Sequence, residues 1–537
     1  MSPSSRFAPF ALLPFLAGAP WPAASAQEVV HRIDGAFGEA VGGASDAIDD
    51  VDGDGVPDFV IGPAGQGSVT IRSGKTAEAV VSIPVGSGFS DLATGGDLDG
   101  DGIEDVVVGF GLFASSNHVA VHSGKDGSLL LSVPADGFRV AGAGDVDADG
   151  TLALVAAGRQ IPPVGGVIVP IETRVVSGAS GAFLHAFSSA PTLGGGAHVA
   201  AAGDVDHDGF DDVLLGNSPF ASLGLPPTVD AVSGKTGAVL STSTGEIGSF
   251  LVHLDSVGDR DGDGVAEHAR VLFRLESDGT RRPRFEFADG ATGALSFAFE
   301  GEKTFGPGDG VSVGAVVGDV DGDAWADVAF GLSSTQPGTG AGWIEVFSGA
   351  DGDLLFALAG DGDEDVFGVS VSTAGDLDGD GRSELIAGAA GSAPEGSGSV
   401  SRVVRSLTMT TGSADGCVGS GGVAPRLRTS GSLAVGTPES LRVKDALGGS
   451  LAWFLVGTGP AAVDLGAGCT LAVALSPAVL NSPFAVSPGR PGAGETEWVE
   501  TVPAQASGFL YRAQGFVLDA GSPLGFSATG AIDLVVP

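Results

Sequence analysis

The chain has 537 residues, 91 of them glycine, and a formal net charge of −41 from 25 Lys+Arg against 66 Asp+Glu. That length exceeds one ordinary globular core and suits a large repeat domain with a second domain beside it. The apolar content excludes a disordered chain, and the absence of a basic face excludes nucleic acid as a partner.

The N-terminus reads Met1-Ser2-Pro3-Ser4-Ser5-Arg6, then an apolar stretch from Phe7 to Ala19, then Ala24-Ser25-Ala26. A positive start, an apolar stretch and a small-x-small site predict a secretory signal over 1–26, cut after Ala26. The alternative, a lone membrane anchor, is disfavoured because Pro9 and Pro14 break a short run. No later stretch is long enough to span a bilayer. Export would place the two cysteines, Cys417 and Cys469, in an oxidising compartment, where they are expected to pair.

From residue 50 onward an acidic loop, Asp-x-Asp-x-Asp-Gly-x-x-Asp or a near variant, returns seven times. It opens at Asp50, Asp97, Asp145, Asp204, Asp259, Asp319 and Asp376, at intervals of 47 to 60 residues. Repetition at this period means one supersecondary unit copied seven times, a propeller or a solenoid. The first loop carries Asp50, Asp52, Asp54 and Asp58; the second Asp97, Asp99, Asp101 and Asp105. The third carries Asp145, Asp147 and Asp149, with Ala153 where the last acid should stand. The fourth has Asp204, Asp206, Asp208 and Asp212; the fifth Asp259, Asp261, Asp263 and Glu267. The sixth has Asp319, Asp321, Asp323 and Asp327, with Ala324 in place of the turn glycine. The seventh has Asp376, Asp378, Asp380 and Glu384.

Carboxylates at positions 1, 3, 5 and 9 can converge on one point if the loop curls. Calcium takes about six to eight oxygens in flexible geometry, which four carboxylates, a carbonyl and a water supply. Magnesium fits less well because it demands strict octahedral geometry. Zinc fits poorly because no His or Cys recurs. About six to seven calcium sites are therefore expected, the third weak or empty. An EF-hand would need Glu at position 12 and flanking helices. That position holds Ile61, Val108, Ala156, Leu215, Arg270, Phe330 and Ala387. The loops supply 27 of the acidic residues, so seven dications would bring −41 to −27. The competing readings are an ordinary solvated turn, and an ion that only stiffens each unit.

Short apolar runs closed by glycine follow the loops, as in Asp105-Val106-Val107-Val108-Gly109, and read as buried strands. Around each loop the unit reads as four strands. In the first, Phe37–Val41 precedes the loop, and Phe59–Gly62, Ser68–Arg72 and Ala79–Ile83 follow it. A Ser-Gly turn such as Ser73-Gly74-Lys75-Thr76 joins the last two. Seven such units over 27–407 describe an all-β, seven-bladed propeller. Ser399–Val404 lacks a following fourth strand, and Val29–Ile33 matches one, so the N-terminal strand is expected to close the last blade. After a linker at 408–413, residues 414–537 lose the period, and their short alternating strands suggest a β-sandwich-like domain.

Phe37-Gly38, Phe305-Gly306 and Phe367-Gly368, with Gly203-Asp204-Val205-Asp206 and Gly375-Asp376-Leu377-Asp378, resemble FG-GAP repeats. These are the repeats of the integrin α-subunit propeller and of secreted bacterial relatives. The resemblance covers about 28–407 and implies calcium loops on one face of a seven-bladed ring. Phe89 and Phe250 lack the following glycine. The segment after 414 is similar to a C-terminal module of secreted bacterial repeat proteins.

No catalytic set emerges. The eight histidines share no phase in the repeat. His118 and His122 would share one strand face as a surface pair, and His207 sits inside the fourth loop at a non-ligand position. Gly194-Gly195-Gly196 precedes no phosphate-binding helix. Arg281, Arg282 and Arg284 form the tight basic cluster and are expected on a solvated turn, while Trp325 and Trp343 are expected to pack between strands. The expected function is a secreted calcium-binding scaffold for extracellular protein or glycan, not an enzyme, with the partner and oligomeric state open. The alternatives are a propeller-type polysaccharide-degrading enzyme, for which Lys, Arg and Tyr look scarce, and a surface-coat protein.

Overall fold

The computed structural model describes residues 27–34, 41–63, 67–111, 117–135, 137–158, 172–188, 197–218, 225–301, 303–306, 311–333, 342–360, 366–389, 400–406, 417–419, 425–430, 438–457, 460–466, 469–473, 478–480, 484–486, 491–501 and 510–535. Residues 1–26, Phe37-Gly38 and the glycine run at 194–196 lie outside them. All described regular elements are strands.

Seven four-stranded antiparallel sheets follow one another along the chain. The first blade is β2 (Val41–Ile48), β3 (Asp58–Pro63), β4 (Gly67–Arg72) and β5 (Ala79–Gly86). The second is β6 (Phe89–Thr94), β7 (Val106–Phe110), β8 (His118–His122) and β9 (Leu129–Val133). The third is β10 (Arg139–Gly142), β11 (Leu154–Ala157), β12 (Glu172–Val176) and β13 (Phe183–Ser188). The fourth is β14 (Ala197–Gly203), β15 (Asp212–Asn217), β16 (Thr228–Val232) and β17 (Val239–Thr244). The fifth is β18 (Ser249–Gly258), β19 (Glu267–Leu275), β20 (Arg281–Ala288) and β21 (Leu295–Glu300). The sixth is β22 (Val311–Gly318), β23 (Asp327–Ser333), β24 (Trp343–Phe347) and β25 (Leu354–Ala359).

The seventh blade takes β26 (Phe367–Gly375), β27 (Glu384–Ala389) and β28 (Val400–Ser406) from the end of the repeat region. Its fourth strand is β1 (Gln27–Asp34), which pairs antiparallel with β28, Val29 opposite Val404 and Ile33 opposite Ser401. The first strands pack in a closed circle, β2 on β6, β6 on β10, β10 on β14, β14 on β18, β18 on β22, β22 on β26 and β26 on β2. A closed ring of blades leaves no long sheet edge exposed.

The core lies between blades. Second strands such as β3, β7, β23 and β27 are buried along their length. Each has strand neighbours in its own sheet and a blade on either face, so apolar residues are needed at every position. The fourth strands instead alternate, as in β5. Ile48, Val60 and Ile71 of the first blade share a cluster with Leu92, Val106 and Phe110 of the second. At the closure, Ile33 packs with Phe59, Ile61, Ala374, Ile386 and Val403.

Blade five departs from the expected pattern. Arg281, Arg282 and Arg284 lie on strand β20, not on a solvated turn. Acidic partners on the same and on neighbouring strands make this tolerable. Arg284 Nε is 2.7 Å from Glu286 Oε1, Arg274 Nη1 is 2.6 Å from Glu300 Oε1, and the buried Arg270 Nη2 is 2.8 Å from Glu286 Oε2. Phe305 makes an isolated bridge to Arg281 and does not open a first strand. His118 and His122 are half-buried: His118 stacks on Phe110 at 4.2 Å between ring centroids, and His122 Nδ1 lies 3.0 Å from the Gly127 carbonyl. Trp343 lies on β24 beside Phe330, as expected, whereas Trp325 sits in the sixth acidic loop.

The C-terminal strands form a three-stranded sheet of β29 (Arg426–Ser430), β30 (Pro438–Leu447) and β36 (Pro491–Thr501). Opposite it lie β31 (Leu451–Gly457), β34 (Ala478–Leu480), β35 (Phe484–Ala485), β37 (Leu510–Leu518) and β38 (Phe526–Val535). Leu427, Leu441 and Val443 of the first sheet meet Phe454, Ala513 and Val517 of the second in one sandwich-like core. A hairpin of β32 (Pro460–Gly466) and β33 (Cys469–Val473) is tied by the Cys417–Cys469 disulfide, whose Cys417 amide donates to the Ala528 carbonyl.

Because Ile33 anchors the closing strand, Ile33→Ala should lower the unfolding free energy by about 3 kcal/mol, measured by urea denaturation.

Candidate metal centre

Each acidic loop joins the first strand of its blade to the second, so the seven loops occupy equivalent places around the ring. The loop backbone is built on the first aspartate. Asp50 Oδ1 accepts from the amides of Gly53 (2.8 Å) and Asp54 (3.1 Å), and Oδ2 from Gly55 (2.8 Å). Asp97 and Asp376 make the same three bonds with Gly100, Asp101 and Gly102, and with Gly379, Asp380 and Gly381. The fifth-position aspartate accepts the amide at position 7, as Val56 to Asp54 and Trp325 to Asp323, both 3.0 Å.

Positions 4 and 6 are left-handed in every loop. Gly53 and Gly55 have φ of 78° and 87°. The loops without glycine there, at Ala148, His207 and Ala324, keep the conformation at 55°, 58° and 70°. Glycine adopts this region freely, while a side chain costs about 1–2 kcal/mol. His207 is exposed and takes no part in the carboxylate set.

The ninth-position acid is the deepest. Asp58, Asp105, Asp212 and Asp327 are fully buried, and Glu267 and Glu384 almost so. One oxygen accepts the second-position amide: Val51 to Asp58 at 2.9 Å, Leu98 to Asp105 at 2.8 Å, Leu377 to Glu384 at 2.6 Å. In four blades the other oxygen accepts a glycine amide of the hairpin between strands three and four: Gly74, Gly124, Gly234 and Gly349, at 2.9 to 3.1 Å. That glycine is needed for space. A Cβ at Gly74, Gly124, Gly178, Gly234, Gly290 or Gly349 would overlap the position-8 carbonyl of the loop. Burial pushes the carboxyls of Asp105 and Asp212 up to about 6 and that of Glu384 up to about 7, and the neighbouring loop carboxylates add to the rise.

Carboxylate oxygens converge within 4.8 Å in Asp50–Asp52–Asp58, Asp97–Asp99–Asp101, Asp145–Asp147–Asp149 and Asp204–Asp206–Asp212. The fifth loop brings all four together, Asp259, Asp261, Asp263 and Glu267. Asp54, Asp105 and Asp208 stand outside these groups. An all-oxygen, all-anionic set suits a hard cation. In the third loop Ala153 is buried where an acid stands elsewhere, yet Asp147 Oδ1 is buried without a hydrogen-bond partner, an atom that a cation would satisfy.

Neighbouring loops touch. Glu104 Oε2 accepts the Asp49 amide at 3.3 Å, and Asp211 Oδ2 accepts the Asp145 amide at 2.7 Å. The Ser383 amide donates to the Asp319 carbonyl at 2.7 Å. Arg260 of the fifth loop donates to the Gly349 carbonyl at 2.7 Å, and its guanidinium lies 4.6 Å from the Trp325 ring centroid in the sixth.

Sequence reading missed a second polar set, on the innermost strands. Asp46 Oδ2 accepts the amide and hydroxyl of Thr94 in the next blade, at 3.1 and 3.3 Å. Asp91 Oδ2 accepts the Val140 amide at 3.2 Å, and Oδ1 faces Arg139 at 3.8 Å. His253 Nε2 is 3.8 Å from Asp255. These groups feel one another: Asp255 adds to the burial that lifts Asp46 to about 6, and Arg139 and His253 add to the burial that depresses His198. Each acid lies in the strand that precedes its loop. A polar residue one blade period from another was the available signal.

Residues 50–108 match the family of FG-GAP-like repeats, and residues 367–401 match the FG-GAP repeat. A search of curated proteins found no match. A crystal structure of BBS1N in complex with ARL6DN, soaked with lead, is similar at TM-score 0.40 and 10% identity, over 72% of this chain and 98% of that one. The structure of the Dos1 propeller is similar at TM-score 0.36 and 8% identity, over 65% of this chain and 75% of that one.

Two outcomes follow from this geometry. Ala324→Gly should relieve the left-handed strain and raise stability by about 1 kcal/mol in a chemical melt. Asp46 has a folded pKa raised from 3.8 to about 6, so the stability it contributes is present below 3.8 and lost as pH rises through 6. Asp46→Asn should therefore be near neutral at pH 4 and stabilising by roughly 2 kcal/mol at pH 8, read from melts across that range.

Proposed function

We propose, from the premise that this chain is an FG-GAP repeat β-propeller protein, that it is an exported scaffold whose loops hold calcium and whose surface binds an extracellular protein or glycan. A propeller of such repeats is in general a binding scaffold; the ion, the export and the partner class are our reading. The observation that carries it is the repeated convergence of carboxylate oxygens at one place in successive blades. Anions held this close repel one another, and a dication at their centre turns the repulsion into attraction. Calcium suits the set better than magnesium, because the loops offer carboxylates in flexible geometry.

The ligands proposed are the carboxylates at positions 1, 3, 5 and 9 of each loop. The third is expected to hold its ion weakly for want of an acid at Ala153. The ion would stiffen a hairpin whose ninth-position acid already ties the loop to the blade. Extracellular calcium, in the millimolar range, would fill even weak sites. The Cys417–Cys469 disulfide supports an oxidising destination. Among the described residues no helix is long and apolar enough to cross a membrane. We propose binding without turnover; among the described residues no group of side chains compels a catalytic reading.

Calorimetric titration of chelator-stripped protein with calcium, run beside thermal unfolding, tests this. About six sites are expected, with each site adding roughly 1.4 kcal/mol of stability at ten times its dissociation constant. Absence of binding, with stability indifferent to chelator, would overturn the calcium assignment. A glycan and protein binding screen on the calcium-loaded form then tests the scaffold role.

A further inference from the structure

Blade six differs from blades one, two and four at the corner where loop and hairpin meet. In blades one, two and four a lysine of the hairpin turn lies over the fifth-position aspartate of its own loop. Lys75 Nζ is 3.8 Å from Asp54, Lys125 is 3.4 Å from Asp101, and Lys235 is 3.4 Å from Asp208. Blade six has Ala350 at that turn position, as blades three and five have Ala179 and Ala291. Its fifth-position acid, Asp323, is met from the C-terminal sheets instead. Arg426 of β29 places Nη1 3.4 Å from Asp323 Oδ2 and Nη2 3.3 Å from Asp351 Oδ2 of the hairpin.

Two cations of β30 close on the same hairpin. Lys444 Nζ is 2.6 Å from Asp353 and 3.6 Å from Asp351, and Arg442 Nη1 is 3.7 Å from Asp353. The Asp323 side chain is only 5% exposed in this contact. Residues 414–537 hold six Lys+Arg in all, and three of them converge on this one corner. A random scatter of so few cations would not do that. The acidic corner Asp323–Asp351–Asp353 is thus a dedicated seat for the C-terminal sheets.

We propose that this seat is a calcium-sensitive latch: the Arg426 guanidinium and an ion in loop six compete for the Asp323 carboxylate, so ion entry loosens the C-terminal sheets from blade six. The inference rests on the calcium reading of the loops. Asp323 Oδ1 accepts the Trp325 amide at 3.0 Å, and Oδ2 is the oxygen that faces Arg426. A guanidinium and a dication brought to one carboxylate repel each other across a few ångströms in a poorly solvated corner. Two further features weaken loop six as an ion site, although it keeps all four acids. Ala324 is strained at φ 70°, and Arg260 of blade five approaches through Trp325. A weakened site beside a competing cation responds to changes in calcium that leave the stronger loops filled. Linkage makes the effect reciprocal: the factor by which docking weakens calcium is the factor by which calcium weakens docking.

Trp325 lies in loop six, so its emission reports that loop alone once the signal of Trp325→Phe protein is subtracted. Calcium titrations of the full chain should show Arg426→Ala tightening the Trp325-reported site about ten-fold, with the calorimetric isotherm of the other loops unchanged. Asp351→Asn frees one anchor of Arg426 without touching the loop and should shift the site in the same direction. Hydrogen exchange at Arg426–Ser430 should speed up on adding calcium to the wild-type protein. A Trp325-reported affinity that is unchanged or weaker in both variants, or exchange at β29 indifferent to calcium, overturns the latch. A silent Trp325 while the other loops take up calcium overturns the latch alone. No uptake at any loop overturns both the latch and the calcium reading.

Discussion

The buried ninth-position carboxylate is the constraint around which six of the seven blades are organised. It bonds the start of its own loop on one side and, in four blades, the hairpin of strands three and four on the other. A group so placed is costly to ionise and costly to remove, because its deletion would leave two amides without acceptors. The hairpin glycine follows from the same contact, since the loop carbonyl presses where a Cβ would stand. So do the left-handed positions, which curl the loop tightly enough to bring the other carboxylates above the buried one. Blade three shows how much of this is replaceable. With Ala153 at the ninth position it keeps the loop, the close glycine Gly178 and the fold, and Asp211 of the next blade binds its opening amide.

Repetition made the propeller legible. The period, the apolar second strands and the Ser-Gly hairpins each recur, and the unmatched strands at the two ends of the repeat region pointed to each other. The loop positions were equally open to reading, because side-chain chemistry and spacing alone define them. The misreadings arose where a residue's partner lies on another strand or blade. Arg281, Arg282 and Arg284 look like a solvated basic turn until the fold brings Glu276 and Glu300 beside Arg282, Glu246 and Glu300 beside Arg284, and the rings of Phe273 and Phe305 beneath Arg281. Trp325 looks like a core residue until Arg260 comes across from the neighbouring blade to cover it. Asp46 and Asp91 carry no motif, and their role as bonds from one innermost strand to the next depends wholly on ring closure.

The charge distribution has a similar logic. The chain is strongly acidic, and its few cations are placed against individual carboxylates more than spread over the surface. Lysines of three hairpins face the loops of their own blades, and Arg426, Arg442 and Lys444 face blade six from the C-terminal sheets. Exposed pairs of this kind contribute little to stability one by one. Their effect is on register and specificity: they mark which surface meets which, on a protein whose anionic faces otherwise repel.

The pairing of β1 with β28 has a consequence for the order of events in time. Val29 and Val404 stand side by side, yet nearly the whole ring separates them along the chain. Contacts this remote are slow to form, since a long loop must close before they return any energy. Of the ring's own strands, the one made first is the one that the ring uses last. Until the seventh blade is made, β1 has no sheet to join and blades one to six form an open arc with a bare sheet face at each end. A cell that makes this protein must hold that arc apart from its neighbours, because the edge of β1 that awaits β28 would accept a strand from another copy.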